Sequence, residues 1–104
     1  MSTFVQWSGL GSSGVGGALG YPEHATTVKI ASSVLSLSPG ASLTVFAEVR
    51  ISDRWVTIAT LNPQTAPGVQ TATAPTNRDA RNARLRWEVT GGLVGEVVIV
   101  LAVA

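Results

Sequence analysis

The chain reads as all-β: an antiparallel β-sandwich, of which a jelly roll is one form, with an extended Gly-rich N-terminal arm. Three observations predict it. Apolar and polar residues alternate with period two in several short runs, turn residues separate those runs, and no stretch sustains a helical period. The sharpest signal is the end of the chain, where residues 97–104 are all apolar behind a lone Glu96. A strand apolar on both faces does not suit a half-solvated position, and at a sheet edge it would seed aggregation. It is also far shorter than the roughly 20 residues of a membrane-spanning helix. The expectation is a central strand, with one face on the domain's own core and the other against another protein chain.

Residues 1–25 are expected to form the arm. It opens on Phe4-Val5-Gln6-Trp7, and from Gly9 to Gly20 six of twelve residues are glycine. Glycine at that density opposes an isolated helix or strand through its backbone entropy. Two readings stand: a flexible arm, or one that orders on a partner through Phe4, Trp7, Leu10 and Tyr21, since buried aromatics are the usual hot spots of such contacts.

Residues 26–104 are the sandwich domain. Thr27–Ile30 and Leu35–Ser38 are two short alternating runs, the second ended by Pro39-Gly40. Ser42–Ile51 is the clearest strand: Leu43, Val45, Ala47, Val49 and Ile51 share one face, and Thr44, Phe46, Glu48 and Arg50 the other. Ser52-Asp53-Arg54 turns the chain, and Trp55–Leu61 returns as the second arm of a hairpin. Residues 62–82 are a polar connection with Pro63, Pro67 and Pro75, and an edge strand at Gly68–Ala74. Asn77–Arg84 fits a helical turn, with Arg78, Arg81 and Arg84 on one side, and fits a loop equally. Ala83–Thr90 alternates again, with Leu85, Trp87 and Val89 inward and Arg84, Arg86 and Glu88 outward. Gly91-Gly92 then turns into the terminal strand, Gly95–Ala104.

Composition narrows the function. A chain of 104 residues makes one domain. Charged residues are 12% of it and apolar residues 45%, against a usual charged share of about 25%. So little charge suggests a surface largely covered in the working state. A net charge of +1 argues against direct nucleic-acid binding, whose footprint is a basic excess. Lys29 is the one lysine among seven basic residues, and arginine is the cation favoured at protein interfaces. With no cysteine, disulfides and thiolate metal sites are excluded. The start Met-Ser-Thr-Phe lacks a basic n-region, so neither a signal peptide nor a membrane partner is expected.

The chemical motifs are weak. Gly9-Leu10-Gly11-Ser12-Ser13-Gly14 matches the dinucleotide fingerprint, but that motif needs a following helix inside a βαβ unit. Here more glycines and Pro22 follow, so no cofactor is expected. His24 is the only histidine, and nothing in the spacing pairs it with a serine and with Asp53 or Asp79. One histidine and scattered carboxylates give no metal-ligand spacing. Glu48 and Glu88 stand beside arginines, which cross-strand ion pairs explain better than acid–base chemistry. The chain is expected not to be an enzyme and to have no catalytic residue.

The hairpin Leu43-Thr44-Val45-Phe46-Ala47-Glu48-Val49-Arg50-Ile51-Ser52-Asp53-Arg54-Trp55-Val56-Thr57-Ile58-Ala59, with Ala83-Arg84-Leu85-Arg86-Trp87-Glu88-Val89-Thr90-Gly91-Gly92 and the closing strand, resembles small β-sandwich virion proteins of tailed double-stranded DNA bacteriophages. The resemblance covers about residues 42–104. It differs in the turn, Ser-Asp-Arg where glycine is common, and in a last strand that is aliphatic throughout. It implies a structural role in a virus particle, made in the host cytoplasm and located in the virion, with no active site carried over.

The expected function is a capsid decoration protein that binds and stabilises the outer shell. Its partners would be the major capsid protein or another virion protein, and its own copies, a trimer being favoured. The residues expected to bind are Phe4, Trp7, Leu10 and Tyr21 of the arm and Val98 and Val100 of the last strand, with Val97, Ile99, Leu101 and Val103 as the core set. The alternatives are a host-attachment or carbohydrate-binding module on the tail and a head–tail connector subunit. The carbohydrate reading needs an exposed aromatic platform, and Trp55 and Trp87 both read as core residues.

Overall fold

A computed structural model describes residues 2–10, 13–20, 25–75 and 81–104. The strands are β1 (Ser2–Leu10), β2 (Gly14–Val15), β3 (Leu19–Gly20), β4 (Thr27–Leu37), β5 (Ser42–Ile51), β6 (Arg54–Thr60), β7 (Gly68–Pro75), β8 (Asn82–Thr90) and β9 (Val94–Val103). They make two antiparallel sheets, one ordered β1-β9-β4-β7 and one β2-β8-β5-β6, with β3 also on β8. If β2 and β3 count as one interrupted strand, the outermost strands pair with each other and so on inward: β1 with β9, β2 and β3 with β8, β4 with β7, β5 with β6. Contacts β4–β9 and β5–β8 then close each sheet. That rolled-up hairpin is the jelly-roll arrangement.

The core lies between the sheets, where inward side chains of alternate positions meet. Val28, Ile30 and Val34 of β4 and Val97, Ile99, Leu101 and Val103 of β9 face Leu43, Val45, Ala47 and Val49 of β5 and Ala83, Leu85 and Trp87 of β8. The terminal strand is central, flanked by β1 and β4. Its Val97 row is the buried one, while Val98, Val100 and Ala102 are half-buried on the outside.

Several expectations shift. Residues 2–10, assigned to the arm, run along β9, with Phe4 opposite Leu101, Val5 opposite Val100 and Trp7 opposite Val98. The free edge of β9 supplies backbone partners that a local reading of the N-terminus does not see. The runs at 27–30 and 35–38 are one strand, because Ser32 takes an inward position where the alternation calls for an apolar residue. Asn82–Arg84 is strand, so the helical reading fails there; residues 76–80 lie outside the described residues. The β5–β6 turn is two residues, Ser52 (φ 49°) and Asp53 (φ 64°), the left-handed pair of a tight hairpin.

Two contacts join the sheets away from the apolar rows. Gln64, in the crossing from β6 to β7, is buried. Its Nε2 donates to the Gly68 carbonyl (3.1 Å), its Oε1 accepts from the Ser32 hydroxyl (2.6 Å), and its backbone exchanges two hydrogen bonds with Leu43 (3.0 and 2.7 Å). It thereby fastens the crossing to β4 in one sheet and β5 in the other. At the chain reversals, Gly91 (φ +73°) lies so close to Gly40 that a Cβ there would overlap the Gly40 carbonyl oxygen. The β4–β5 and β8–β9 turns thus pack backbone on backbone, held by Leu93 N–H donating to Ser38 Oγ at 2.9 Å.

Gly91→Ala should cost about 2–4 kcal/mol in urea unfolding, combining a left-handed φ with a backbone clash. Gly68→Ala, with open space around it, should stay within about 0.5 kcal/mol of wild type. Gln64→Leu should cost about 2–3 kcal/mol by leaving the buried Ser32 hydroxyl without its acceptor, and adding Ser32→Ala should recover part of that loss.

Candidate functional site

The two outer sheet faces are chemically unlike. Strands β1, β4, β7 and β9 carry only two charged residues, Lys29 and Glu96. Strands β5, β6 and β8 carry Glu48, Arg50, Arg54, Arg84, Arg86 and Glu88. Low overall charge is therefore a property of one sheet more than of the whole surface.

On the β9 sheet, register sets the outward residues in rows: Val98 beside Ser33 and Val69, Val100 beside Ala31 and Thr71, Ala102 beside Lys29 and Thr73. Val69 is 68% exposed. On β4, β7 and β9 the residues between the two charges are small or aliphatic, with the hydroxyls of Ser33, Thr71 and Thr73 as the polar groups and no charge among them. Val98 and Val100 are half-buried on this face. Trp7 and Val5 lie opposite them in backbone register, Phe4 opposite Leu101 and Leu10 opposite Val94. Only the backbone of these β1 residues is described, and Tyr21 and His24 lie outside the described residues.

On the β8 sheet, cross-strand register brings the arginines of β8 over β5. Phe46 pairs with Arg86 and Glu48 with Arg84, while Arg50 pairs with Trp55 of β6. Glu48, only 6% exposed, accepts from Arg84 Nε at 2.9 Å and Arg86 Nε at 3.1 Å. Arg86 Nη1 also donates to Glu88 at 2.6 Å. Each guanidinium caps a ring, Arg84 over Trp55 at 4.2 Å and Arg86 over Phe46 at 3.9 Å, a favourable cation–π geometry. Burial works against the charge of Arg86, but hydrogen bonds and attraction from Glu88 and Glu48 outweigh it and hold its pKa above the ordinary value.

Glu48 is thus engaged as a cross-strand partner, as the sequence suggests, whereas Glu88 pairs with Arg86 two positions back on its own strand. Trp87 is in the core, but Trp55 is not: it lies on the outer face under Arg84. The two-residue turn is the reason. A three-residue turn would place Trp55 inward, and a one-residue change of register moves every side chain to the opposite face.

A shallow groove beside β2 is lined by Ser13, Gly14 and Val15 with Arg86, Trp87 and Glu88 of β8. Gly14 sits against the Trp87 indole, 3.2 Å from where a Cβ would stand, so the ring covers an edge glycine. Among the described residues no three His, Cys, Asp or Glu side chains gather as a metal site. Among the same residues no helix is long and apolar enough to cross a membrane.

No protein-family model matches the chain, and no curated protein matches it in sequence. Among solved structures it is similar to the crystal structure of PirA (8% identity, TM-score 0.47, 98% of this chain and 93% of that one). It is also similar to the Eiger TNF of S. frugiperda (13%, 0.47, 81% and 63%) and to a CBM4 structure (15%, 0.40, 98% and 59%). The fold class rests on the chain's own two sheets, and function has to be argued from its faces.

Glu48→Ala should cost about 2 kcal/mol in urea unfolding, less than a fully buried pair because both arginines are partly solvated. In an Arg84→Ala/Arg86→Ala background the same substitution should be stabilising, since it then removes an enclosed carboxylate left without a cation.

Proposed function

We propose that the chain is a structural assembly subunit, of the capsid-decoration kind its sequence resembles, working by burial of the outer face of the β9 sheet in protein–protein contact. The observation that carries this reading is the segregation of charge. One face, on which Val98 and Val100 lie, is nearly free of it, as the core of a docking face would be. The virion role draws its support from the β5–β6 and β8–β9 sequence blocks.

The carbohydrate-binding alternative has less support. It needs an aromatic ring open to a sugar, while Trp55 is capped by Arg84 and Trp87 is buried. A connector subunit would use the same face in a closed ring and differs in copy number: hundreds per particle for decoration, six or twelve for a connector.

Val100→Asp tests the reading. The substitution lies on the outside of a central strand, so the isolated fold should lose only about 1 kcal/mol and keep its far-ultraviolet circular dichroism. Incorporation into particles, quantified by mass spectrometry of purified virions, should be lost. Normal incorporation of a folded Val100→Asp protein would overturn the proposal.

A further inference from the structure

Resting on that reading, we infer that the occupant of the β9 face is a second copy of this chain, docked about a two-fold axis that sets Lys29 of each copy beside Glu96 of the other. The two charges stand at opposite ends of the face: Lys29 in register with Ala102, Glu96 in register with Ser36. Those positions are six steps apart along β9, about 20 Å at ~3.3 Å per residue. The strip between them is Val98, Val100, Ala31 and Ser33.

Face-to-face packing of identical sheets is isologous, so its two-fold axis lies in the interface. An axis crossing the strands near Val98 and Val100 reverses strand direction and turns one copy over onto the other. It brings the Lys29 end of one face onto the Glu96 end of its mate, with the charges one strand apart, within the reach of a lysine side chain. The uncharged strip then meets itself. A parallel superposition would set Lys29 on Lys29 and Glu96 on Glu96, which like-charge repulsion disfavours. The charge pattern is self-complementary in one orientation only.

Area permits it. Four strands ~4.8 Å apart, each contributing about eight residues, span on the order of 500 Å² per copy, or about 1,000 Å² for two. That is near the lower bound of a specific interface. The contact closes with two copies, whereas the sequence alone favours a trimer.

Sedimentation of the purified chain tests this through charge reversal. Lys29→Glu and Glu96→Lys each create two like-charge contacts and should each weaken the dimer about tenfold. The double reversal Lys29→Glu/Glu96→Lys restores opposite charges and should return the dissociation constant to within about threefold of wild type. Single reversals without effect, or a double variant no tighter than the singles, would overturn the two-fold pairing. A wild-type chain monomeric at millimolar concentration would overturn it too, yet would leave the structural-subunit reading standing if Val100→Asp still abolished incorporation. A dimer that survives Val100→Asp would refute the pairing through this face, and normal particle incorporation of that variant would refute the subunit reading.

Discussion

Much of this fold depends on giving an all-apolar strand two neighbours. Val94–Val103 has little polar side-chain surface to turn to water, so both of its backbone edges are best paired and one of its faces roofed. The edges are taken by β1 and β4, and the roof is β5 and β8 with Leu43, Val45 and Leu85. Placing β9 in the middle of one sheet while β8 belongs to the other requires the chain to cross sheets over Gly91-Gly92. The β4–β5 connection crosses at the same end, and the two turns approach until only glycine fits between Gly91 and Gly40. The turn chemistry is in this sense a consequence of where the last strand lies.

The same placement separates the charges. With the β9 sheet reduced to Lys29 and Glu96, most described ionic groups fall on the opposite sheet. There they are arranged to satisfy one another. Glu48 is held between two guanidinium groups that also shield Trp55 and Phe46, so one set of residues covers aromatic surface and neutralises a nearly buried carboxylate. A carboxylate this enclosed and left alone would be costly, whereas paired and hydrogen-bonded it is tolerated.

What could be read from the sequence was what local periodicity encodes. Ser42–Ile51 and Ala83–Thr90 alternate cleanly and face as their patterns dictate, and the larger residues of the last strand are its inward row. Three features escaped for distinct reasons. Ser32 interrupts an apolar row because its partner, Gln64, lies 32 residues away, and no local pattern announces such a contact. Trp55 changed face with the length of one turn; Ser52-Asp53 as a left-handed pair was the available signal. The strand at residues 2–10 pairs with a segment 84 to 101 positions on, and the glycine run after it favours an arm. The contrast between the faces needed the topology, since it appears only when β1, β4, β7 and β9 are known to share a sheet.

How the sheet edges are finished bears on how copies of such a chain can meet. A strand edge is the simplest route to association, and each outer strand carries a feature that blunts it. β1 is irregular between Ser8 and Leu10, and β6 bulges opposite Ala47–Glu48. β7 follows Pro67 and ends on Pro75, which can donate no ladder hydrogen bond. β2 and β3 are two residues each, separated by Gly16-Gly17. Edge-to-edge growth would give open-ended ribbons, which these features oppose. The face of the β9 sheet offers a different surface: its register is unbroken from Val97 to Val103 on both sides, Val98 and Val100 lie in that stretch, and its two charges sit at the ends. On the proposed reading, edges closed and one face open is the combination that lets a chain with so apolar a last strand join an assembly of fixed size without polymerising.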